Sequence, residues 1–280
     1  MLVNSDYLLK DALKLGYAVP AYNINNLEWA KFILEACQED KSPVILAATP
    51  SAITYFGGYK VVYSVVSSLI DCLNISIPVV LHLDHAENYE ECKEAIDCGF
   101  TSVMINNSGN IENSILVTNK VIKYAKEKNV SVEAEIENIL DGKEEGENYT
   151  NIEDAYNFVS RTNVDSFAPS IGNKHGFYGG QPNLNFELLG AICKETKVPL
   201  VLHSASFIDD NKIRTAIFCE ISKININTDL QDAWSCSVRK FLDSDKSVCD
   251  PRLIIKSGEH ALKRRIHYLN NLFGSKNRAN

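Results

Sequence analysis

The chain has no apolar run of eighteen residues in its 280, and so offers no candidate membrane-spanning helix. Its opening, MLVNSDYLLKDALKLGY, carries charges where a secretory signal would need an apolar centre, which makes the cytoplasm the expected compartment. No two of the eight cysteines are spaced C-x-x-C, and none stands near a histidine in sequence. In a reducing compartment they read as small buried hydrophobes, against a disulfide frame or a catalytic thiol. Positive charge is in deficit: a net charge of −8 argues against a nucleic-acid or anionic-membrane partner, while leaving room for a small cationic pocket. No G-x-G-x-x-G follows the first predicted strand, which removes the dinucleotide-binding fold. No linker or low-complexity run divides the chain, so residues 1–280 read as a single domain.

What is present is a regular alternation. Short β-branched runs ending in polar residues occur at 18–24, 43–49, 78–85, 101–107, 130–137, 165–171, 199–206 and 223–228. Between them lie segments of helical period, such as Leu27, Ala30, Ile33, Leu34 and Cys37, or Ile111, Ile115, Ile122 and Ala125. Strands alternating with helices imply parallel βα units. Eight of them predict an α/β fold of the TIM type, a (β/α)₈ barrel, with a C-terminal helical extension after about residue 230.

In such barrels the chemistry sits at the C-terminal ends of the strands. Those ends carry Asp84 and His85, Asn106 and Glu135, with His175 after strand 6 and His203 in strand 7. Four of the six histidines, His82, His85, His175 and His203, fall there, whereas His260 and His267 lie in the helical tail. Three neutral imidazoles from three strands, with a fourth position open, suit a catalytic zinc. Strand alternation puts His82 and Asp84 on one face and His85 on the other, so His85 joins the site only if the strand has ended before it.

The motifs YAVPAYNINNLE, SPVILAATPSA, LHLDH, GFTSVMI, VSVEAE, IGNKHGFY, LVLHSAS, KININTDL and DPR occur in that order. Together they resemble the class II, zinc-dependent fructose-bisphosphate and tagatose-bisphosphate aldolases over essentially the whole chain. The ATP after strand 2 and the missing lysine after HGFY lean toward the tagatose-bisphosphate branch. The resemblance implies one zinc per chain, held by His85, His175 and His203, with Glu135 and Asn106 nearby or as alternate ligands. A monovalent cation is a further candidate. It implies Asp84 as the proton donor to the aldehyde oxygen and Glu144, on a loop after strand 5, as the group that moves the carbon-bound proton. Phosphate of the dihydroxyacetone half would meet Gly176, Ser204, Ala205, Ser206, Asn225, Ile226, Asn227 and Thr228. The other end of a ketose 1,6-bisphosphate would fall near Asn23, Thr49 and Arg252. A phosphorylated sugar substrate and a homodimer or homotetramer complete the expectation.

Several residues depart from the family pattern. Asn106 and Asn227 replace aspartates, and the loop KEEGENYTN is shorter than usual. Ser204 and Phe207 stand where glycines let backbone N–H groups approach an anion, and glycine is only 14 of the 280 residues. A serine restricts the backbone and a phenylalanine adds bulk, so weakened binding of the phosphorylated half is expected. The alternatives are a diverged relative that keeps zinc but has lost the reaction, a non-catalytic metabolite-binding subunit, and another metal-dependent barrel enzyme such as a sugar-phosphate epimerase.

Overall fold

The computed structural model describes residues 2–106, 110–136, 149–173 and 181–279. Eight parallel strands close into a barrel in sequence order: β1 (Val19–Asn23), β2 (Val44–Ala48), β3 (Val79–Ala86), β4 (Ser102–Asn106), β5 (Ser131–Glu135), β6 (Ser166–Ala168), β7 (Leu200–Leu202) and β8 (Ile221–Ile226). The helices are α1 (Asp6–Leu15), α2 (Leu27–Asp40), α3 (Pro50–Phe56), α4 (Tyr59–Cys72), α5 (Tyr89–Cys98), α6 (Ile111–Glu127), α7 (Ile152–Thr162), α8 (Phe186–Thr196), α9 (Asp210–Phe218), α10 (Thr228–Ser244), α11 (Pro251–Lys256) and α12 (Glu259–Leu272). This is the expected (β/α)₈ barrel with C-terminal helices. No helix among the described residues is long and apolar enough to cross a membrane.

The strands read as near-continuous apolar runs because a parallel barrel strand is covered on both faces. Their outward residues, such as Leu46, Leu81, Val103 and Ala134, pack against the helices in one large core. Inside the barrel, Val19, Ala21, Ile45 and Val80 meet Leu8, Leu9 and Ala12 of α1, which closes the N-terminal end. Helix starts are set by asparagine caps: Asn26, Asn88, Asn110, Asn151 and Asn185 each accept a first-turn backbone N–H.

Two expectations shift. The eighth strand runs over 221–226 rather than 223–228, because Asn227 caps α10 and Thr228 is already helical. The third strand does not end before His85. It continues to Ala86 through a bulge: Leu83 pairs with Val103 but Ala86 with Ile105, leaving one extra residue in β3. At its other end the chain is tied down by α12, where Asn270 accepts from the Tyr22 hydroxyl (2.8 Å) and donates to Asp40 (3.0 Å).

Candidate active site

The C-terminal mouth of the barrel holds a cavity of about 250 Å³ lined by Asn23, Thr49, Asp84, His85, His203, Ser204, Ser206, Asn225, Asn227 and Thr228. Every one of these was singled out from the sequence. The bulge brings His85 into the group: its φ of +59° is left-handed, so the side chain leaves the strand alternation and turns to the mouth beside Asp84. The strand detours rather than stops.

Asp84 is buried and doubly held, accepting from Asn23 Nδ2 (2.9 Å) and Asn225 Nδ2 (3.3 Å). Burial alone would raise its pKa, but His85, His203, Lys223 and His82 outweigh that and hold it at about 2. The His85 ring lies between two carboxylates, with Nε2 3.7 Å from Asp84 and Nδ1 3.7 Å from Glu135. It meets the His203 ring edge-on at 4.9 Å. Asn106 ends β4 in register with Glu135.

Asp84, His85 and His203 each present a ligand atom within 4.8 Å of the others. Two imidazoles and a carboxylate in a buried, polar mouth fit a borderline metal such as zinc. Asn225 adds a buried Oδ1 without a hydrogen-bond partner among the described residues, an acceptor left for an incoming group.

The loop after β7 corrects a second expectation. Ser204 (φ +57°) and Phe207 (φ +64°) both take the left-handed conformation that glycine adopts freely, so the substitutions have not restricted the backbone. Phe207 does not line the cavity; its carbonyl accepts from Gln181 (2.9 Å). Ala205 is buried, with its N–H on the Asn225 carbonyl (3.3 Å), and Ile226 is buried at the end of β8. Ser206 Oγ accepts from the backbone N–H of Asp229 (3.2 Å), joining this loop to the first turn of α10. That helix start, with Asn227 and Thr228 on the cavity wall, suits an anion. Across the mouth, Thr49 caps α3 by accepting from Ala52 N.

Arg252 is not brought into the cavity. It sits on α11 with its side chain 89% exposed, and its guanidinium folds back onto Asp250, the residue that caps that helix. A neighbour two residues away satisfies it locally. Glu144, His175 and Gly176 lie outside the described residues.

Sequence reasoning missed what lies under the cavity. Glu133 Oε1 is 2.9 Å from His203 Nε2, and Glu133 Oε2 accepts from Lys223 Nζ (2.7 Å). Burial would raise the Glu133 carboxyl, but Lys223 and His203 hold it well below the usual range. His82 lies 3.3 Å from Lys223 Nζ through Nε2 and 2.8 Å from Ser102 Oγ through Nδ1. Burial, then the Lys223 charge, lowers its pKa to about 3, so it is neutral. The available signal was a lysine and a glutamate at inward positions of apolar strands, two residues before Asn225 and Glu135 respectively.

The chain matches known proteins over nearly its whole length. The family described as fructose-bisphosphate aldolase class-II matches residues 3–278. A fructose-bisphosphate aldolase of Geobacillus stearothermophilus is 43% identical over 284 aligned residues, covering 99% of each chain. A 6-phospho-5-dehydro-2-deoxy-D-gluconate aldolase of Halalkalibacterium halodurans is 42% identical over 93% of this chain and 92% of its own. Among solved structures, the YdjI aldolase from Escherichia coli K12 superposes with a TM-score of 0.88 at 32% identity, with both chains fully covered.

Proposed function

Because the chain belongs to the class-II fructose-bisphosphate aldolase family, and is thus an aldolase, we propose that it splits a ketose 1,6-bisphosphate, fructose or tagatose, into dihydroxyacetone phosphate and glyceraldehyde 3-phosphate. The observation that carries this reading is the convergence of Asp84, His85 and His203 on one buried cavity beside the start of α10. Zinc is the proposed cofactor, one per chain, with His85 and His203 as ligands and His175 as the third on resemblance alone; when bound it supplies a Lewis acid at the ketone oxygen.

The chain's own residues do the rest. Asp84, ionised and aimed by Asn23 and Asn225, takes the proton from the C4 hydroxyl in cleavage and returns it in condensation. The C3–C4 bond breaks as that O–H electron pair becomes the aldehyde, and the electron pair of the broken bond passes into the enediolate of the other half. A proton must then reach that carbon, a role proposed for Glu144. Ser204, Ser206, Asn227, Thr228 and the first-turn N–H groups of α10 receive the phosphate of the dihydroxyacetone half. The Ser204 and Phe207 conformations support an intact anion loop and favour a working enzyme over a diverged, inactive relative. Arg252, folded onto Asp250, is assigned no part in this chain's own cavity. A single domain, a homo-oligomer and a cytoplasmic location belong to the same proposal.

The identity to a 6-phospho-5-dehydro-2-deoxy-D-gluconate aldolase favours a second reading. That name also describes a ketone next to a phosphorylated carbon, but with a carboxylate at the far end. Steady-state cleavage of fructose 1,6-bisphosphate, tagatose 1,6-bisphosphate and the gluconate derivative separates the readings. The proposal expects the highest kcat/KM on a bisphosphate; a preference for the gluconate derivative replaces it with the second reading, and cleavage of none rejects both.

A further inference from the structure

A column of buried polar groups runs from the closed end of the barrel to the cavity floor. Ser5 Oγ lies 2.7 Å from Ser131 Oγ and 3.4 Å from Ser102 Oγ, and Ser102 meets His82 Nδ1 at 2.8 Å. His82 Nε2 meets Lys223 Nζ at 3.3 Å, Lys223 meets Glu133 Oε2 at 2.7 Å, and Glu133 Oε1 meets His203 Nε2 at 2.9 Å. Lys223 and Glu133 are 1% and 2% exposed. Well-packed apolar side chains often serve stability as well as such a pair, so its presence asks for another reason.

Donor arithmetic supplies one. An ammonium only donates. His82 Nε2 must therefore accept from Lys223, which leaves Nδ1–H to donate to Ser102. Lys223 also claims Glu133 Oε2, to which Ser166 Oγ adds a donor at 3.3 Å. The remaining oxygen of Glu133 accepts from His203, so His203 carries its proton on Nε2 and turns the Nδ1 lone pair to the cavity. The His203 carbonyl is separately fixed by Asn173 Nδ2 (3.2 Å).

We propose that Glu133, anchored at its other oxygen by Lys223, is a positioning residue that locks His203 in the Nε2–H tautomer. Its consequence for metal binding rests on His203 being a ligand; the tautomer does not. A carboxylate at 133 only accepts, with Lys223 and Ser166 on one oxygen and His203 on the other; an amide there has one accepting and one donating end, and Lys223 decides which end faces His203.

Glu133→Gln makes the sharp test. Lys223 and Ser166 draw the amide oxygen to themselves, so the NH₂ faces His203 and forces the proton to Nδ1, where a metal would bind. Removing the ammonium as well, in Lys223→Met/Glu133→Gln, lets the amide turn its oxygen to His203 and brings the Nε2–H tautomer back. The tautomer is read by ¹H–¹⁵N correlation of the imidazole rings in metal-free protein, and zinc affinity by chelator competition. The expected results are Nε2–H in the wild type and Nδ1–H in Glu133→Gln, with zinc binding weakened by about 10–100-fold, and recovery of both in the double variant. An Nε2–H signal in Glu133→Gln, or a double variant no better than the single, overturns the proposal. If Glu133→Gln fails to fold, the double variant, with both buried charges gone, is the deciding one: Nδ1–H there refutes it. Should zinc not bind even the wild type, the metal assignment falls while the tautomer result still decides the role of Glu133 and its Lys223 anchor.

Discussion

Arg265→Met should detach the C-terminal helix from the anion loop at a calculable cost. Arg265 reaches from α12 to Asp229 in the first turn of α10, donating through Nε (2.8 Å) and Nη2 (2.7 Å). Asp229 is 7% exposed at its side chain and its backbone N–H holds Ser206 Oγ, so the pair sits directly behind the cavity wall. Removing one partner of a buried pair costs about 3–5 kcal/mol. Arg265 is 32% exposed, however, and solvent screening of that exposed third brings the expected loss to about 2–3 kcal/mol. Methionine keeps the apolar stem, so the loss reports the charge rather than packing. For a chain of 280 residues that is a fall of about 3–5 °C in Tm. Asp229→Asn/Arg265→Met leaves no unpaired charge and should recover to within about 1 kcal/mol of wild type. Urea unfolding of the four proteins measures the coupling, and phosphoglycolate affinity should follow the same order, lowest in Arg265→Met. An Arg265→Met variant within about 0.5 kcal/mol of wild type, or a double variant as unstable as the sum of the singles, would refute the reasoning.

Asp84→Asn should retain zinc while losing about 10²–10⁴-fold in cleavage, the range for removing a general acid–base; loss of metal together with activity would make Asp84 a structural partner of the histidines instead. Ser204→Gly should gain about 1 kcal/mol by relieving a left-handed serine, less what the hydroxyl contributes, and should leave phosphoglycolate affinity within about twofold. Marked tightening would mean that the serine does obstruct the loop. Asp40 supplies a pH test. Burial opposes its ionisation, but Asn270, His267 and Lys276 donate to it and hold its pKa below the ordinary value. A lowered carboxyl stabilises the fold above the unfolded value of about 3.9 and ceases to do so as pH falls through the folded one. The stability advantage of wild type over Asp40→Asn should be full near neutrality and vanish in acid; an advantage that grows on acidification would contradict the assignment.

The barrel was legible because both physical periods are written plainly. Strands covered on two faces are continuous apolar runs, and helices such as α2 repeat an apolar face. Asp84, His85 and His203 followed from their place at strand ends, whereas Asn23, Thr49, Ser204, Ser206, Asn225, Asn227 and Thr228 followed from the family resemblance. His85 was harder: alternation sends it outward, and only a left-handed bulge, which histidine tolerates better than most residues, brings it back. Ser204 and Phe207 misled because missing glycines suggest a lost conformation, whereas the surrounding structure imposes it on other residues. Arg252 misled in the opposite sense, since a motif position says nothing of Asp250 capturing it two residues away. Glu133 and Lys223 are 90 residues apart and meet only when the barrel closes, a register no local pattern records.

Whether cleavage depends on a metal held at His85 and His203 is read from one titration. Chelator-stripped protein is assayed for ketose-bisphosphate cleavage while zinc is added back, for wild type and His203→Ala side by side. Stripped wild type should not cleave, should recover with saturation at one zinc per chain, and His203→Ala should not recover at that stoichiometry. Full activity in stripped wild type, or in His203→Ala with equimolar zinc, would contradict that dependence.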